Sequence, residues 1–399
     1  MSTRPRVLYL TTVYPGHRRT GGDVCSQDYI DGLKRSDVEV DVVCFLRPGD
    51  PWPSDPSVHV VEQRAIESAQ SGFWFYLWML ICLLRGTPYS AEKYRSSRYR
   101  RVVSELLARH RYPLCILDHA SRLSWMLPEL PPDLPVVANT HNIEHLLYEG
   151  LQRKASRPIN RWVYAREARL VKVIELDLAA KAAEVWTVTP VDGAFFSGLP
   201  SPPRVRAFET APAHFTPPRP LPPKRYDVGL LGNWQWHANL EGLQWFVDEV
   251  LPAAPELQVE LAGNGADWLR EQSPRLRVRG FVEDGRHFLC EARVIAIPST
   301  SGAGVQIKTL EAIALGMPVV ATTIAVRGLS DLPSTVQLAD DPHQFAALLR
   351  QAVARPSAGP EPAALAWAAR LRGRHQQLLD EALSDFGVTG RASSEQAVG

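Results

Sequence analysis

The stretch from Ser301 to Thr322, SGAGVQIKTLEAIALGMPVVAT, constrains the fold more than any other part of the chain. A glycine-rich turn feeds a run of helical spacing that carries one acid, Glu311, and an apolar strand follows at residues 318–321. Turn, helix and strand in that order make an αβ unit. Its glycines let backbone approach an anion and its helix N-terminus carries partial positive charge, so the segment predicts a phosphate-type site.

The same alternation recurs on both sides of a proline-rich stretch. Residues 6–12 and 39–45 read as β-branched strands with helical spacing at 26–34 between them, and further strands are expected at 114–117, 135–138 and 185–188, the last closing the first half. Such βαβ units imply parallel sheets. Two strands end in polar groups, Asp118-His119 and Thr140-His141-Asn142, and ligands of open α/β sheets sit at such ends. Nine prolines between Pro200 and Pro223 exclude helix or central strand and predict a connector over 200–225. Beyond it, strands are expected at 227–231, 258–261, 277–281 and 294–297, a helix at 240–250, and closing helices at 345–354 and 363–386. The expected organisation is a domain over 1–199, the linker, a second domain over 226–386, and a small, polar, disordered tail over 387–399.

Composition narrows the function classes. A formal charge of +1 over 399 residues offers no global basic excess for nucleic acid. Five scattered cysteines without a CxxC or His-Cys grouping argue for reduced thiols in a cytoplasmic protein and against a zinc site. The opening residues lack a signal-peptide pattern. Residues 73–84, FWFYLWMLICLL, are twelve apolar or aromatic residues, too short to span a bilayer, which takes about twenty. With the basic stretch at 93–101 they could rest on an anionic membrane surface, or form a buried helix followed by a solvated one. No DxD triplet occurs, so no metal on a diphosphate is expected.

Gly304, Lys308, Leu310, Glu311, Ala312, Gly316, Pro318 and Val319 together resemble the donor signature of retaining GT-B glycosyltransferases of the family 4, or glycosyl transferases group 1, type. The resemblance implies an α/β fold of two Rossmann-like domains facing each other across a cleft, and transfer of a hexose from a nucleotide-diphosphate sugar to a hydroxyl acceptor with retention and no cofactor. The acceptor would be a lipid-linked glycan or a soluble small molecule. In that family two glutamates stand eight positions apart; Glu311 matches the second, which binds ribose, while Ala303 occupies the place of the first. Gly304 and Val305 would offer backbone N–H groups and Lys308 a cation to phosphate. The loop after the strand at 227–231 lacks the family's usual Arg and Lys, leaving Asn233 and Asn239 as phosphate donors, with an N-cap role open for Asn239. Gly263 and the strand-end pair Phe281 and Val282 would border the nucleotide, and Gly21-Gly22 would form a loop at the donor phosphate or acceptor. His119 would contact the donor sugar, with Asp118 as a one-residue alternative, and His141, Asn142 and Glu144 would serve the acceptor. A sugar-nucleotide 2-epimerase and a non-catalytic binding relative share the implied fold.

Overall fold

The computed structural model describes residues 4–66, 73–210, 215–270, 276–302, 305–355 and 359–388. Its β-branched runs form two parallel sheets, and the chain divides into two compact units, one comprising residues 1–208 with 376–399 and the other residues 209–375.

The first unit runs β1 (Arg6–Val13), α1 (Gly21–Arg35), β2 (Glu39–Leu46), β3 (Val58–Gln63), α2 (Phe73–Arg85), α3 (Tyr89–Glu92), α4 (Ser97–Arg109), β4 (Cys115–Asp118), α5 (Ala120–Leu123), β5 (Val136–Thr140), α6 (Glu144–Lys154), α7 (Pro158–Lys181), β6 (Glu184–Thr187), α8 (Pro190–Ser197) and β7 (Val205–Ala207). The strands lie in the order β3-β2-β1-β4-β5-β6-β7. Seven of the eight residues in both β1 and β2 are buried, as expected of strands covered on both faces. Two apolar clusters, one on each side, cover the sheet: Leu8, Leu10 and Phe45 face one, and Val7, Tyr9 and Cys44 the other.

The second unit runs β8 (Tyr226–Leu231), α9 (His237–Trp245), α10 (Leu251–Ala253), β9 (Val259–Ala262), β10 (Leu276–Gly280), α11 (Gly285–Glu291), β11 (Ala292–Ile297), α12 (Ile307–Ala314), β12 (Val319–Ala321), β13 (Val336–Leu338) and α13 (Pro342–Ala354). Its order is β10-β9-β8-β11-β12-β13. A last helix, α14 (Pro362–Asp385), starts in this unit and ends in the first, where Leu379 joins the Tyr29 and Leu33 core.

Several expected boundaries shift. The strand at 184–187 does not close the first sheet, because β7 pairs with it through Val185 and Val205 inside the expected linker. The first unit therefore continues to Phe208 rather than 199, and it regains the chain at Gln376. Strands β3 and β13 lie at the sheet edges with no fully buried residue, so neither carries the apolar run of a central strand, and the sequence gives no expectation of either. Of the expected tail, residues 389–399 lie outside the described residues, and Val388 is buried. All five cysteines are buried thiols. Among the described residues no helix is long and apolar enough to cross a membrane.

Candidate functional site

Both sheets have the same kind of switch point. Strand order runs one way from β1 and the other way from β4, and likewise from β8 and β11, so within each unit the loops leaving these strands diverge at their carboxyl ends, where ligands of open α/β sheets sit. The expected site residues concentrate there, and each unit has its own set.

In the first unit the centre is Asp118, fully buried at the end of β4. Its two carboxylate oxygens accept four hydrogen bonds: from Thr11 Oγ1 of β1 at 2.7 Å, Ser26 Oγ of α1 at 2.6 Å, Asn139 Nδ2 of β5 at 2.8 Å and His141 Nε2 at 2.8 Å. Burial alone would raise its pKa, yet His141, His119 and these hydrogen bonds hold the carboxyl well below the usual range. Asp118 is thus the ionised hub, and His119 rather than Asp118 is the residue presented beyond the strand.

His119 adopts a left-handed backbone with φ of 50°, which turns the chain from β4 into α5. Its ring stacks on that of His141 with centroids 3.9 Å apart and planes 24° from parallel. Burial and the neighbouring His141 push its pKa well below the ordinary histidine value, against the pull of Asp118, so the imidazole is neutral at pH 7. Its Nδ1 is buried and has no hydrogen-bond partner among the described residues. Asp118, His119 and His141 hold potential metal-ligand atoms within 4.8 Å of one another, but the carboxylate is already saturated by hydrogen bonds.

Gly21 and Gly22 do not form a loop. Thr20 caps α1 by accepting from Asp23 N, and the Asp23 carboxylate accepts in turn from Thr20 N, so both glycines belong to the first helical turn. A Cβ on Gly22 would stand 3.2 Å from His119 Cε1, which places this turn against the imidazole. Asn142 is partly exposed beside His141. Glu144 is buried, and its carboxylate accepts from Arg122 Nε at 2.9 Å.

In the second unit α12 has no side-chain cap at its N-terminus. The first helical residues therefore keep backbone N–H groups that side chains do not satisfy. Lys308 lies in this turn, partly buried, its Nζ donating to Asn239 Oδ1 at 2.9 Å and sitting 5.9 Å from the centre of the Trp234 ring. Burial pulls the amine down to about 8. Glu311 follows on the same helix, one turn further and partly exposed. Val305 packs against the core beside β11 and β12, and Gly304 lies outside the described residues.

Asn239 is not an N-cap, because α9 begins two residues earlier at His237. It bridges instead, donating through Nδ2 to Asn233 O at 2.9 Å while accepting from Lys308. Asn233 folds its own loop by accepting from Gln235 N at 3.1 Å. Trp234 is core: it is buried and donates from Nε1 to Ala262 O at 2.9 Å. Gly263 has φ of 112°, and a Cβ there would fall 1.7 Å from Gly232 O, so the loops after β8 and β9 touch through backbone. Gly263 N donates to Gly280 O at 2.7 Å, drawing in the end of β10; beyond it Phe281 is 71% exposed and Val282 packs on the core.

One residue went unread in the sequence. Glu241, one turn into α9, accepts a hydrogen bond from Ser301 Oγ, and a Cβ on Gly242 would lie 2.0 Å from Pro298 O. The first turns of α9 thus hold the glycine-rich segment at Ser301 and at Lys308. A surface-style acid on a helix carries no sequence signal for such a contact.

Residues 225–355 match the family model described as glycosyl transferases group 1. The search of curated proteins returns no match. Among solved structures, Anabaena Alr3699/HepE in complex with UDP and glucose is similar at a TM-score of 0.57 and 15% identity, covering 95% of this chain and 99% of that one. The alpha,alpha-trehalose-phosphate synthase (UDP-forming) from Burkholderia vietnamiensis has a TM-score of 0.57 and 14% identity over 96% and 98%. AviGT4, a glycosyltransferase involved in avilamycin A biosynthesis, has a TM-score of 0.54 and 14% identity over 96% and 97%. The second unit thus carries a glycosyl transferases group 1 domain, and the chain has the two-domain α/β fold of the GT-B glycosyltransferases.

Proposed function

We propose that this chain moves a hexose from a nucleoside-diphosphate sugar to a hydroxyl acceptor, with retention of anomeric configuration and no metal ion. The observation that carries this reading is the uncapped start of α12, where Lys308 is held by Asn239 and Glu311 follows one turn later, inside the span that matches the family. Backbone N–H groups and an ammonium at one helix start suit a diphosphate, and a carboxylate one turn on suits the two ribose hydroxyls.

The roles follow from charge. The second unit grips the leaving diphosphate through Lys308 and the backbone N–H groups of Gly304 and Val305. Glu311 takes the ribose, and the backbone near Gly263 and Phe281 borders the base. In the first unit His119 supports the sugar; because it is neutral, it adds no positive charge against the one that develops at the anomeric carbon. His141 and Asn142 serve the acceptor. The acceptor oxygen bonds to the anomeric carbon as the carbon–oxygen bond to phosphate breaks, and its proton passes to the leaving phosphate oxygen on the same face. The protein positions the groups and stabilises charge.

Buried thiols fit a cytoplasmic enzyme, and the product would be a bacterial surface glycan or a glycosylated metabolite. UDP-glucose is the first donor to try, since it is bound in one of the similar structures. Incubation with nucleotide sugars and an acceptor panel, followed by NMR of the product, tests the reading: a glycoside with the donor's anomeric configuration supports it. A 2-epimer formed without acceptor would point to an epimerase, and binding without turnover to a non-catalytic relative.

A further inference from the structure

Helices α6 and α7 pack as a hairpin joined by residues 155–157, and its tip has no role in the chemistry above. From residue 150 to residue 166 the chain contains five basic residues and no acid. Arg166 is turned inward, donating to Cys82 O at 2.8 Å and Thr87 O at 3.0 Å. The other four, Arg153, Lys154, Arg157 and Arg161, are exposed around the tip. Among them stand two large apolar side chains one turn apart on α7, Ile159 at 62% exposure and Trp162 at 55%. A chain of net charge +1 has concentrated cations and an exposed indole on one projection.

Much of the basic stretch at 93–101, which the sequence offers as a membrane face, is partnered within the unit, while Arg101 stays exposed. Lys93 donates to Ile66 O, Arg98 pairs with Glu62, and Arg100 pairs with Glu129. Helix α2 does leave Leu80, Leu83 and Leu84 exposed, with Cys82 buried beneath them.

We propose that the α6–α7 tip docks on the face of an anionic bilayer, its four cations meeting lipid headgroups and Ile159 and Trp162 entering the boundary with the acyl chains. Each component suits that partner. Lys and Arg beside a surface of negative lipid are attracted through local charge, and an indole settles at the depth where its ring is in hydrocarbon and its N–H in the headgroups. An exposed Ile has no counterpart on a nucleic acid, where aromatic stacking and phosphate contacts would suffice. Helix α6 begins at Glu144, three residues past His141, and its 11 residues span about 16 Å. The tip therefore lies within reach of an amphiphilic acceptor held in the same bilayer. That last step rests on the transferase reading; the docking does not.

Sedimentation with vesicles tests it without donor or acceptor. The full-length protein should pellet with phosphatidylcholine vesicles containing phosphatidylglycerol and stay in the supernatant with phosphatidylcholine alone, and raised salt should release it. Reversing three charges in Arg153→Glu/Arg157→Glu/Arg161→Glu should weaken binding by about tenfold or more, and Ile159→Ser/Trp162→Ser should do the same with an unchanged melting temperature. These side chains are exposed, so the variants keep the fold. Wild-type protein left in the supernatant at low salt overturns the proposal. So does binding that survives both tip variants and is lost in Leu80→Ser/Leu84→Ser, or a tip that prefers single-stranded RNA to the anionic vesicles. Vesicle binding with no transfer activity would leave the docking standing and remove only the transferase reading.

Discussion

Lys308 Nζ donates a 2.9 Å hydrogen bond to the side-chain oxygen of Asn239, a neutral partner for a cation placed at the start of α12. A carboxylate there would neutralise the charge a phosphate needs; an amide orients the amine and leaves its charge available.

The pH dependence of nucleotide binding follows from this pair. Burial lowers the Lys308 amine to about 8, so it is charged below that pH and neutral above it. A bound diphosphate favours the charged form, and above about 8 binding must take up a proton. Affinity should fall by up to about tenfold per pH unit there, and stay flat between 6 and 7.5 on this group's account. Calorimetry in buffers of different ionisation enthalpy reads the proton uptake. Lys308→Arg, charged throughout, should abolish the alkaline limb even where affinity is lower, and Lys308→Ala should cost about 1.5–3 kcal/mol of binding.

Changing Asn239 should move that limb without removing the cation. Asn239→Asp places a negative charge beside the amine and shifts the limb to higher pH; Asn239→Leu removes the hydrogen bond and shifts it lower. An unchanged limb in both would mean that Lys308 is positioned by something else.

Gly22 controls access to His119. A Cβ there already approaches Cε1 to 3.2 Å, so the two methyls of Gly22→Val must displace the imidazole. Turnover should fall on the order of 100-fold, as expected for a misplaced group. Nucleotide binding, assigned to the other unit, should be unaffected. Equal losses in both would show the variant to be merely unfolded.

Asp118→Ala leaves Thr11, Ser26, Asn139 and His141 without their common acceptor in a buried site. We expect a stability loss of about 3 kcal/mol or more, read as a lower first unfolding transition. The carboxyl lies below its ordinary range in the folded state, so its stabilisation is full at neutral pH and is lost progressively as the pH falls from the ordinary carboxyl range down to that depressed value.

The legibility of this chain divides by range. Runs such as VLYL in β1 and VVCF in β2 announce buried parallel strands, and the glycines before IKTLEAIA announce a helix start. What lay beyond the sequence were contacts made across strands and helices. Asp118 and Asn139 are paired in register between β4 and β5, 21 positions apart, and only the sheet order brings Thr11 and Ser26 to the same carboxylate. Glu144 is read from its place after a strand, and the sequence gives no sign of its pairing with Arg122 on α5. Gly21 and Gly22 looked like a loop because glycine usually marks one, and the capping pair Thr20 and Asp23 makes them a helical turn. Backbone crowding is equally silent: nothing near Gly263 in sequence says that Gly232 O lies where its side chain would be.

The central claim is that the start of α12 binds a nucleoside diphosphate through Lys308 and Glu311. The most direct measurement is the melting temperature with UDP, GDP and dTDP and their sugar conjugates, with and without magnesium, for the wild type and for Glu311→Ala. A rise with one nucleotide in the absence of metal, and its loss in the variant, is the expected result. No rise with any of them, or a rise that Glu311→Ala leaves intact, would contradict it.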